Sequence, residues 1–296
     1  MTREPGEAAL DGPSGDPGDP GGLAQADAGH HEIQTDRVDM RFLLPPVGAK
    51  CLAGEAATAE TVGHSPARSS GIFLIESGPA MRGTIFWDVD TQHDFIVPDG
   101  KLYIQGAEAI LPKLEALTEF AREKGVPLLG SVDYHGLHDD EISDRPDFHE
   151  TYPPHCLVDT PGQAKVPATS PKDALWIDSR PEDKEALKEQ VRQHLGKGGE
   201  VFFRKQRFDV FSNPNVDTVL EAVRPDRIVV YGVALDVCDR YAIEGLLARR
   251  RYRVALVHDA TRAIRPEEGE RLLQDWTSRG VSLLTTDQII GGALGI

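Results

Sequence analysis

The sequence predicts an α/β protein of three layers, in which helices cover both faces of a mostly parallel sheet of about six strands. From residue 84 onward, short apolar runs rich in β-branched and aromatic residues alternate with amphipathic stretches. Gly125 and Gly280 each separate an amphipathic stretch from the next apolar run, where helices commonly end. This alternation indicates right-handed βαβ units, whose strands are parallel.

The elements follow from the local patterns. Strands are predicted at residues 84–89, 127–132, 174–177, 200–204, 227–232, 253–258 and 281–285. Helices, with apolar residues three and four apart, are predicted at 107–124, 182–194, 216–223, 237–250 and 267–279. Residues 134–172 show no period and are rich in Asp, His and Pro. A loop of this length inside a compact domain is more often functional than idle, so we expect part of a site there.

Residues 1–80 differ in composition from the rest of the chain. They hold 12 Gly and 8 Pro, with 12 acidic and 5 basic residues. We expect this segment to be a disordered or low-complexity extension and residues 81–296 to form one domain. Subtracting its charge of −7 from the total of −16 leaves −9 on the remainder. A nucleic-acid partner is therefore not expected.

The length of the apolar segments and the number of cysteines bear on the cellular compartment that we expect for the protein. No window of 18 apolar residues occurs, and the N-terminus has no secretory signal pattern, so no membrane partner is expected. Cys51, Cys156 and Cys238 are widely spaced and odd in number. That pattern favours free thiols in a reducing compartment over a disulfide framework, and we expect a soluble cytoplasmic protein.

An acid, a base and a thiol each stand where a predicted strand ends. Asp90 follows the first strand, Lys205 follows the fourth, and Cys238 lies at a predicted helix start after the fifth. A helix start favours a thiolate and can hold an oxyanion. Because ligands in open parallel sheets bind outside the carboxyl ends of the strands, we expect these three side chains to converge.

A second group of side chains suits a divalent metal ion. Asp133 and His135 are two residues apart at the end of the second strand and point to the same side. His155 follows two prolines that stiffen the chain before it. Carboxylate and imidazole ligands together are typical of transition-metal sites.

Three segments together resemble the isochorismatase-like cysteine hydrolase superfamily, and within it the nicotinamidase branch. Residues 90–95 (DTQHDF) resemble the D-x-Q-N-D-F segment of that branch. Residues 152–156 (YPPHC) with 160–162 (TPG) resemble its W-P-x-H-C and T-P-G segments, and residues 232–238 (GVALDVC) resemble its G-V-A-T-D-x-C turn. The match covers roughly residues 83–290, and it implies the Rossmann-like isochorismatase-like hydrolase fold.

The resemblance implies a role for each matching residue. Cys238 would be the nucleophile, Asp90 its general base and Lys205 the third member of the triad. The N–H groups of Ala234 and Cys238 would form the oxyanion hole, with a cis peptide bond before Ala234. Asp94 is expected to order the loop after the first strand rather than to take part in the chemistry.

The resemblance also implies a metal and a substrate. The metal, zinc in the first place and otherwise iron or manganese, would be held by Asp133, His135 and His155. Glu141 occupies the place of a further ligand, with His138 and His149 as competitors. The aromatic walls of the substrate site would be Phe95, Tyr152 and Phe211, Tyr152 standing where the branch has Trp.

The expected activity is hydrolysis of nicotinamide or a related carboxamide. The substrate would be a small molecule, and the enzyme is expected to form homo-oligomers. The alternatives are another amidase or carbamoyl hydrolase of the superfamily, because His93 and Leu235 also depart from the branch, and a non-catalytic binding protein on the same fold.

Overall fold

The computed structural model describes residues 83–296, so the extension expected at residues 1–80 lies outside the described part of the chain. The described residues build one sheet in the order β3-β4-β2-β1-β5-β6-β7, and every neighbouring pair is parallel. The strands are β1 (Thr84–Val89), β2 (Leu128–Asp133), β3 (Ala174–Ile177), β4 (Glu200–Lys205), β5 (Arg227–Val233), β6 (Arg253–Arg262) and β7 (Ser282–Leu284). The predicted α/β fold is confirmed. The sheet has seven strands where about six were expected, and each strand overlaps one of the seven predicted ranges.

Helices connect the strands and cover the sheet. They are α1 (His93–Ile96), α2 (Leu111–Lys124), α3 (Lys184–Gly196), α4 (Val216–Val223), α5 (Cys238–Arg249), α6 (Pro266–Ser278) and α7 (Thr286–Ile290). The helix predicted at 107–124 begins instead as a 3-10 turn, Ala107–Ile110, before the α-helix with Pro112 in its first turn. Gly125 ends α2 at a φ of 63°, a left-handed conformation that costs glycine little.

The central strands are buried on both faces. Every residue of β2 is buried, and in β1 and β5 only the first residue is partly accessible. This burial explains why these strands read as continuous apolar runs rather than as alternating patterns. Trp87 packs parallel to Phe203 with ring centroids 5.6 Å apart, which joins β1 and β4 on one face of the sheet. The core therefore fixes the ends of β1, β2, β4 and β5 relative to one another.

The long loop predicted after β2 contains only two 3-10 turns, Pro161–Gln163 and Pro167–Thr169, but it is closely tied to the rest of the fold. Isolated bridges join His135 to Leu157 and Gln92 to Lys165. The loop therefore has a defined path over the carboxyl ends of the strands. Within residues 83–296, no helix is both long and apolar enough to span a membrane.

Candidate active site and metal centre

The carboxyl ends of four strands carry the candidate catalytic and metal-ligating side chains. Asp90 follows β1 at a φ of 45°, Asp133 and Lys205 are the last residues of β2 and β4, and Cys238 begins α5 after β5. From β1 the chain passes to β2 on one side, and after β4 it crosses to β5 on the other side of β1. Such a switch point is where open α/β sheets bind ligands.

The structure brings the three predicted catalytic residues into contact. Lys205 Nζ lies 2.9 Å from Asp90 Oδ2 and 3.6 Å from Cys238 Sγ, and it also contacts a carboxylate oxygen of Asp133. The Lys205 and Asp90 side chains are fully buried. A carboxylate oxygen of Asp90 and of Asp133 and the Cys238 sulfur all lie within 4.8 Å of one another. One buried cation therefore contacts two carboxylates and a thiol.

The charges at this site oppose burial. Burial alone would lower the pKa of Lys205, but Asp133 and Asp90 raise it more, so the pKa stays well above its ordinary value. Burial raises the pKa of the Cys238 thiol well above its ordinary value, Asp90 adds to the rise, and only Lys205 lowers it. The resting site thus holds a protonated thiol beside an acceptor carboxylate and a permanent cation.

The turn before α5 is shaped by backbone geometry and by one carboxylate. The Val233–Ala234 peptide bond is cis. Gly232 has a φ of 132°, and a Cβ there would collide with the carbonyl oxygen of Val89. Asp236 accepts hydrogen bonds from the backbone N–H of Ile264 at 2.8 Å and of Arg265 at 3.0 Å. The turn is therefore held against the segment after β6, and Ala234 and Cys238 both line the pocket described below.

Asp133, His135 and His155 form a buried cluster that suits a metal ion. Asp133 Oδ2 is 3.7 Å from His135 Nε2 and 3.6 Å from His155 Nε2. His155 Nδ1 is 2.7 Å from the carbonyl oxygen of Pro153, which directs Nε2 toward Asp133. Neither ring nitrogen of the fully buried His135 has a hydrogen-bond partner in the described structure. A cation between Asp133 Oδ2 and the two Nε2 atoms would satisfy Nε2 of His135, so the donor set fits the implied metal. Nδ1 of His135 lies 3.4 Å from Asp139 Oδ2.

The three competing residues for a further ligand differ in placement. His138 and His149 are exposed. Glu141 is buried, and its Oε1 accepts a hydrogen bond from the Phe208 N–H at 2.9 Å, while Oε2 is buried without a partner in the described structure. Burial raises the pKa of Glu141 to about 7. Glu141 does not lie within 4.8 Å of all three ligand atoms of the Asp133, His135 and His155 cluster. The charges of Asp133 and His135 nevertheless affect its pKa.

A pocket of about 290 Å³, its open mouth included, adjoins both groups. Its walls are Phe95, Leu102, Ile104, Asp133, Tyr152, His155, Phe208, Ala234, Val237, Cys238 and Ile264. Phe95 and Tyr152 were predicted as aromatic walls and lie in this lining, with ring centroids 5.4 and 6.4 Å from that of His155. The pocket is thus apolar except at the thiol, the carboxylate and the imidazole.

Phe211, the third predicted wall, does not line this pocket. The guanidinium of Arg249 lies 3.5 Å from the centre of its ring, which also packs against Trp87 and directly over Gly245. The 3-10 turn Val210–Ser212 places this ring against Gly245 and Arg249 of α5, and not in the pocket lining. The pocket wall is instead Phe208, whose ring lies 5.6 Å from that of Tyr152. No local pattern distinguishes two phenylalanines three residues apart.

Sequence reasoning also missed residues that orient the candidate groups. Gln92 donates to the Asp133 carbonyl at 2.8 Å and accepts from the Asp133 N–H at 2.7 Å. Ser131 donates to Asp90 Oδ1 at 2.7 Å. No alternation marks Ser131 in the sequence, because every residue of β2 is buried, and Gln92 appears in the sequence only as one position of the first motif.

Asp94 orders the loop after β1, as predicted. It accepts hydrogen bonds from the Lys101 N–H at 3.0 Å and the Cys156 N–H at 2.7 Å. A Cβ at Gly162 would collide with its carboxylate, so the glycine of the T-P-G segment makes room for Asp94. These contacts hold the segment carrying His155 against the end of β1.

The parallel α/β fold and the order of its elements are those of one protein family. The family model described as the isochorismatase domain matches residues 85–288, and the chain belongs to that family.

The individual similarities are distant. N-carbamoylsarcosine amidase from Arthrobacter sp. is 26% identical over 166 residues, which is 54% of this chain and 53% of that protein. The chain thus spans about half the length of that relative. A probable inactive nicotinamidase from Arabidopsis thaliana is 24% identical over 206 residues, covering 69% of this chain and 93% of that protein.

Among solved structures, the pyrazinamidase of Pyrococcus horikoshii in complex with zinc is 23% identical, with a TM-score of 0.53 over 68% of this chain and 98% of that one. An isochorismatase family protein from Desulfovibrio vulgaris is 22% identical, with a TM-score of 0.56 over 73% of this chain and 100% of that one. These two likenesses show the shared fold.

Proposed function

We propose that this protein is a metal-dependent amidohydrolase of the nicotinamidase type, which converts nicotinamide or a related carboxamide into the acid and ammonia. One observation carries the proposal: Cys238, Lys205 and Asp90 adjoin the Asp133, His135 and His155 cluster beside a single apolar pocket. The first group has the composition of an activated nucleophile, and the second has that of a metal site.

The chemistry is acyl transfer through a thioester. Asp90 takes the Cys238 proton as sulfur bonds to the amide carbon, and the N–H groups of Ala234 and Cys238 hold the oxyanion. Collapse breaks the C–N bond, and Asp90 returns the proton to the departing nitrogen, which leaves as ammonia. Water then attacks the thioester while Asp90 takes a proton from it, and collapse releases the acid and the thiol. Throughout, Lys205 stays paired with Asp90 and stabilises negative charge on sulfur.

The metal would be held by Asp133, His135 and His155, with zinc preferred and iron or manganese also compatible with this donor set. When bound, the ion would supply a Lewis-acid centre for a ring nitrogen of the substrate. Glu141 would act as a further ligand or hold a water beside the site. Phe95, Tyr152 and Phe208 would enclose the ring and exclude water from it.

The pocket chemistry favours a neutral aromatic amide. Its charged or titratable lining consists of Asp133, Tyr152, His155 and Cys238, and no Lys or Arg belongs to the described lining. A substrate with its own carboxylate would find no Lys or Arg partner in that lining, which makes its burial costly.

The second candidate is a carbamoyl hydrolase, which the similarity to N-carbamoylsarcosine amidase favours. A non-catalytic binding protein is the third candidate, but the buried triad argues against it because unused buried charges cost stability.

Ammonia release separates these candidates. We expect metal-loaded protein to release ammonia from nicotinamide and pyrazinamide and not from N-carbamoylsarcosine. Cys238→Ser should be inactive, and Cys156→Ser, which changes the other described thiol, is the matched control that should keep turnover. Release from the carbamoyl substrate alone would select the second candidate, and no release from any amide would select the third.

We also propose a cytoplasmic homo-oligomer that acts on nicotinamide in NAD salvage. Cys156 and Cys238 are both free thiols, as a reducing compartment requires. The exposed side chains of Leu137, Phe148 and Tyr241 supply apolar surface for association. Sedimentation of the purified protein tests the oligomer, and a monomer at micromolar concentration would contradict it.

A further inference from the structure

The proposed mechanism leaves one buried acid unused. Asp239 directly follows the nucleophile in the first turn of α5 and is 0% exposed. Its Oδ2 accepts a hydrogen bond from the Thr261 hydroxyl at 2.5 Å, and its Oδ1 is buried without a hydrogen-bond partner in the described structure. A side chain that costs this much to bury calls for an explanation.

The surroundings of Asp239 disfavour an ionised carboxylate. The largest charge effects on it come from Asp88 in β1, Asp90 just after β1 and Asp236 in the turn before α5, all acidic. Thr261, from β6, contributes only a hydroxyl. Burial raises the pKa of Asp239 to about 8, and the neighbouring acids add to the rise. A neutral acid can stay buried there, whereas an ion beside Asp90 would repel the charge that the mechanism uses.

The contact with Thr261 also bears on the position of the thiol. Leu235 N–H donates to the Arg262 carbonyl at 2.9 Å, and Asp236 accepts from the two N–H groups beyond β6 described above. On the C-terminal side of Cys238, Asp239 accepts a hydrogen bond from Thr261 of the same strand. Residues on both sides of Cys238 are therefore hydrogen-bonded to the end of β6 or to the segment after it, and Asp239 is the one that belongs to α5.

We infer that Asp239 is a positioning residue that acts as a neutral carboxylic acid: bonded to Thr261 it holds Cys238 in place, and its ionisation disables the nucleophile. The inference rests on the proposed function in so far as Cys238 is taken as the nucleophile. Asp239 does not touch substrate and acts through the thiol and through Asp90.

Proton linkage gives a test that needs no substrate. The native state holds a proton on Asp239 that the unfolded chain, with an ordinary Asp, has released above about pH 4. Unfolding therefore releases a proton, and the stability of the wild type falls with pH relative to Asp239→Asn, which is neutral throughout. We expect the Tm advantage of Asp239→Asn to grow from pH 5 to pH 8 and then to level off. An advantage that does not change with pH would overturn the inference.

Alkylation tests the link to the nucleophile. The rate at which iodoacetamide modifies Cys238, followed by peptide mass spectrometry, should be similar in wild type and Asp239→Asn at pH 6.5. At pH 9 the variant should react about tenfold faster, because a pKa of about 8 leaves about a tenth of the wild-type molecules with a neutral Asp239. Equal rates at pH 9, or a variant slowed a hundredfold at pH 6.5, would overturn the inference.

Two further variants complete the design. Thr261→Val keeps the acid and removes its partner, so kcat for the best amide should fall at neutral pH with KM unchanged; an unchanged kcat would contradict the positioning role. Thr261→Ser is the matched control, because it keeps the hydroxyl that donates to Asp239, and its kcat should stay close to that of the wild type. If no amide is turned over, the proposed function fails, while the Tm and alkylation profiles still decide the role of Asp239.

Discussion

Replacing Lys205 with Met tests whether one buried cation holds the site together. The ammonium lies 2.9 Å from Asp90 and contacts Asp133, and all three side chains are at most 2% exposed. At an effective dielectric constant of 20, a pair 2.9 Å apart attracts by about 6 kcal/mol. The methionine avoids the cost of burying the ammonium but leaves two unpaired carboxylates, so we expect a net loss of about 3–5 kcal/mol in unfolding free energy.

Urea denaturation at pH 7.5 in the presence of a chelator measures this loss, since no ion then compensates Asp133. Lys165→Met is the matched control: Lys165 Nζ lies 3.0 Å from Asp88 Oδ2 and both side chains are buried, whereas the lysine in contact with the Cys238 sulfur is Lys205. Both variants should lose stability, but only Lys205→Met should slow alkylation of Cys238, by at least about tenfold, because the thiolate loses its cation. Unimpaired alkylation in Lys205→Met, or a stability within about 1 kcal/mol of wild type, would refute this reasoning.

Four other outcomes are expected. Cys238→Ala should abolish amide turnover with an unchanged circular dichroism spectrum, and more than trace activity would mean another nucleophile. Cys156→Ser should lower unfolding free energy by about 1–3 kcal/mol, because a hydroxyl enters an apolar site, with kcat little changed; selective loss of kcat would contradict this. His135→Ala should reduce bound metal, measured by elemental analysis, and raise KM, while iodoacetamide should still alkylate Cys238. Full amidase activity of the wild type with under about a tenth of an equivalent of metal would eliminate the metal-anchored site. Phe208→Ala should raise KM for nicotinamide, whereas Phe211→Ala should lower only the Tm, and the reverse pattern would place the pocket wall at Phe211.

The fold could be predicted because its strands and helices follow from the local pattern of apolar residues along the chain. Parallel strands buried on both faces appear as apolar runs. Gly125 marks the end of α2, where the backbone takes a left-handed conformation that glycine adopts easily. The edge strand β7 is three residues long and half-buried, which is why a strand count from sequence is least certain there.

The grouping of candidate residues could also be foreseen, for a geometric reason. Asp90, Asp133 and Lys205 end parallel strands, and Cys238 follows another, so the sheet itself brings them to one edge. Their assignment to a thiol hydrolase came from motif resemblance, which gives residue types and order but no distances.

Tertiary packing alone decided the rest. Whether Phe208 or Phe211 faces the pocket depends on a 3-10 turn and on an arginine from α5 that covers the second ring. The neutral state inferred for Asp239 depends on acids brought near it from β1 and on a hydroxyl from β6. Sequence by itself determined the order of strands and helices and the residue types at the sheet edge, because these follow from periodicity along the chain. Side-chain direction and charge state were decided by the tertiary structure, because both depend on atoms that the fold brings together from distant parts of the sequence.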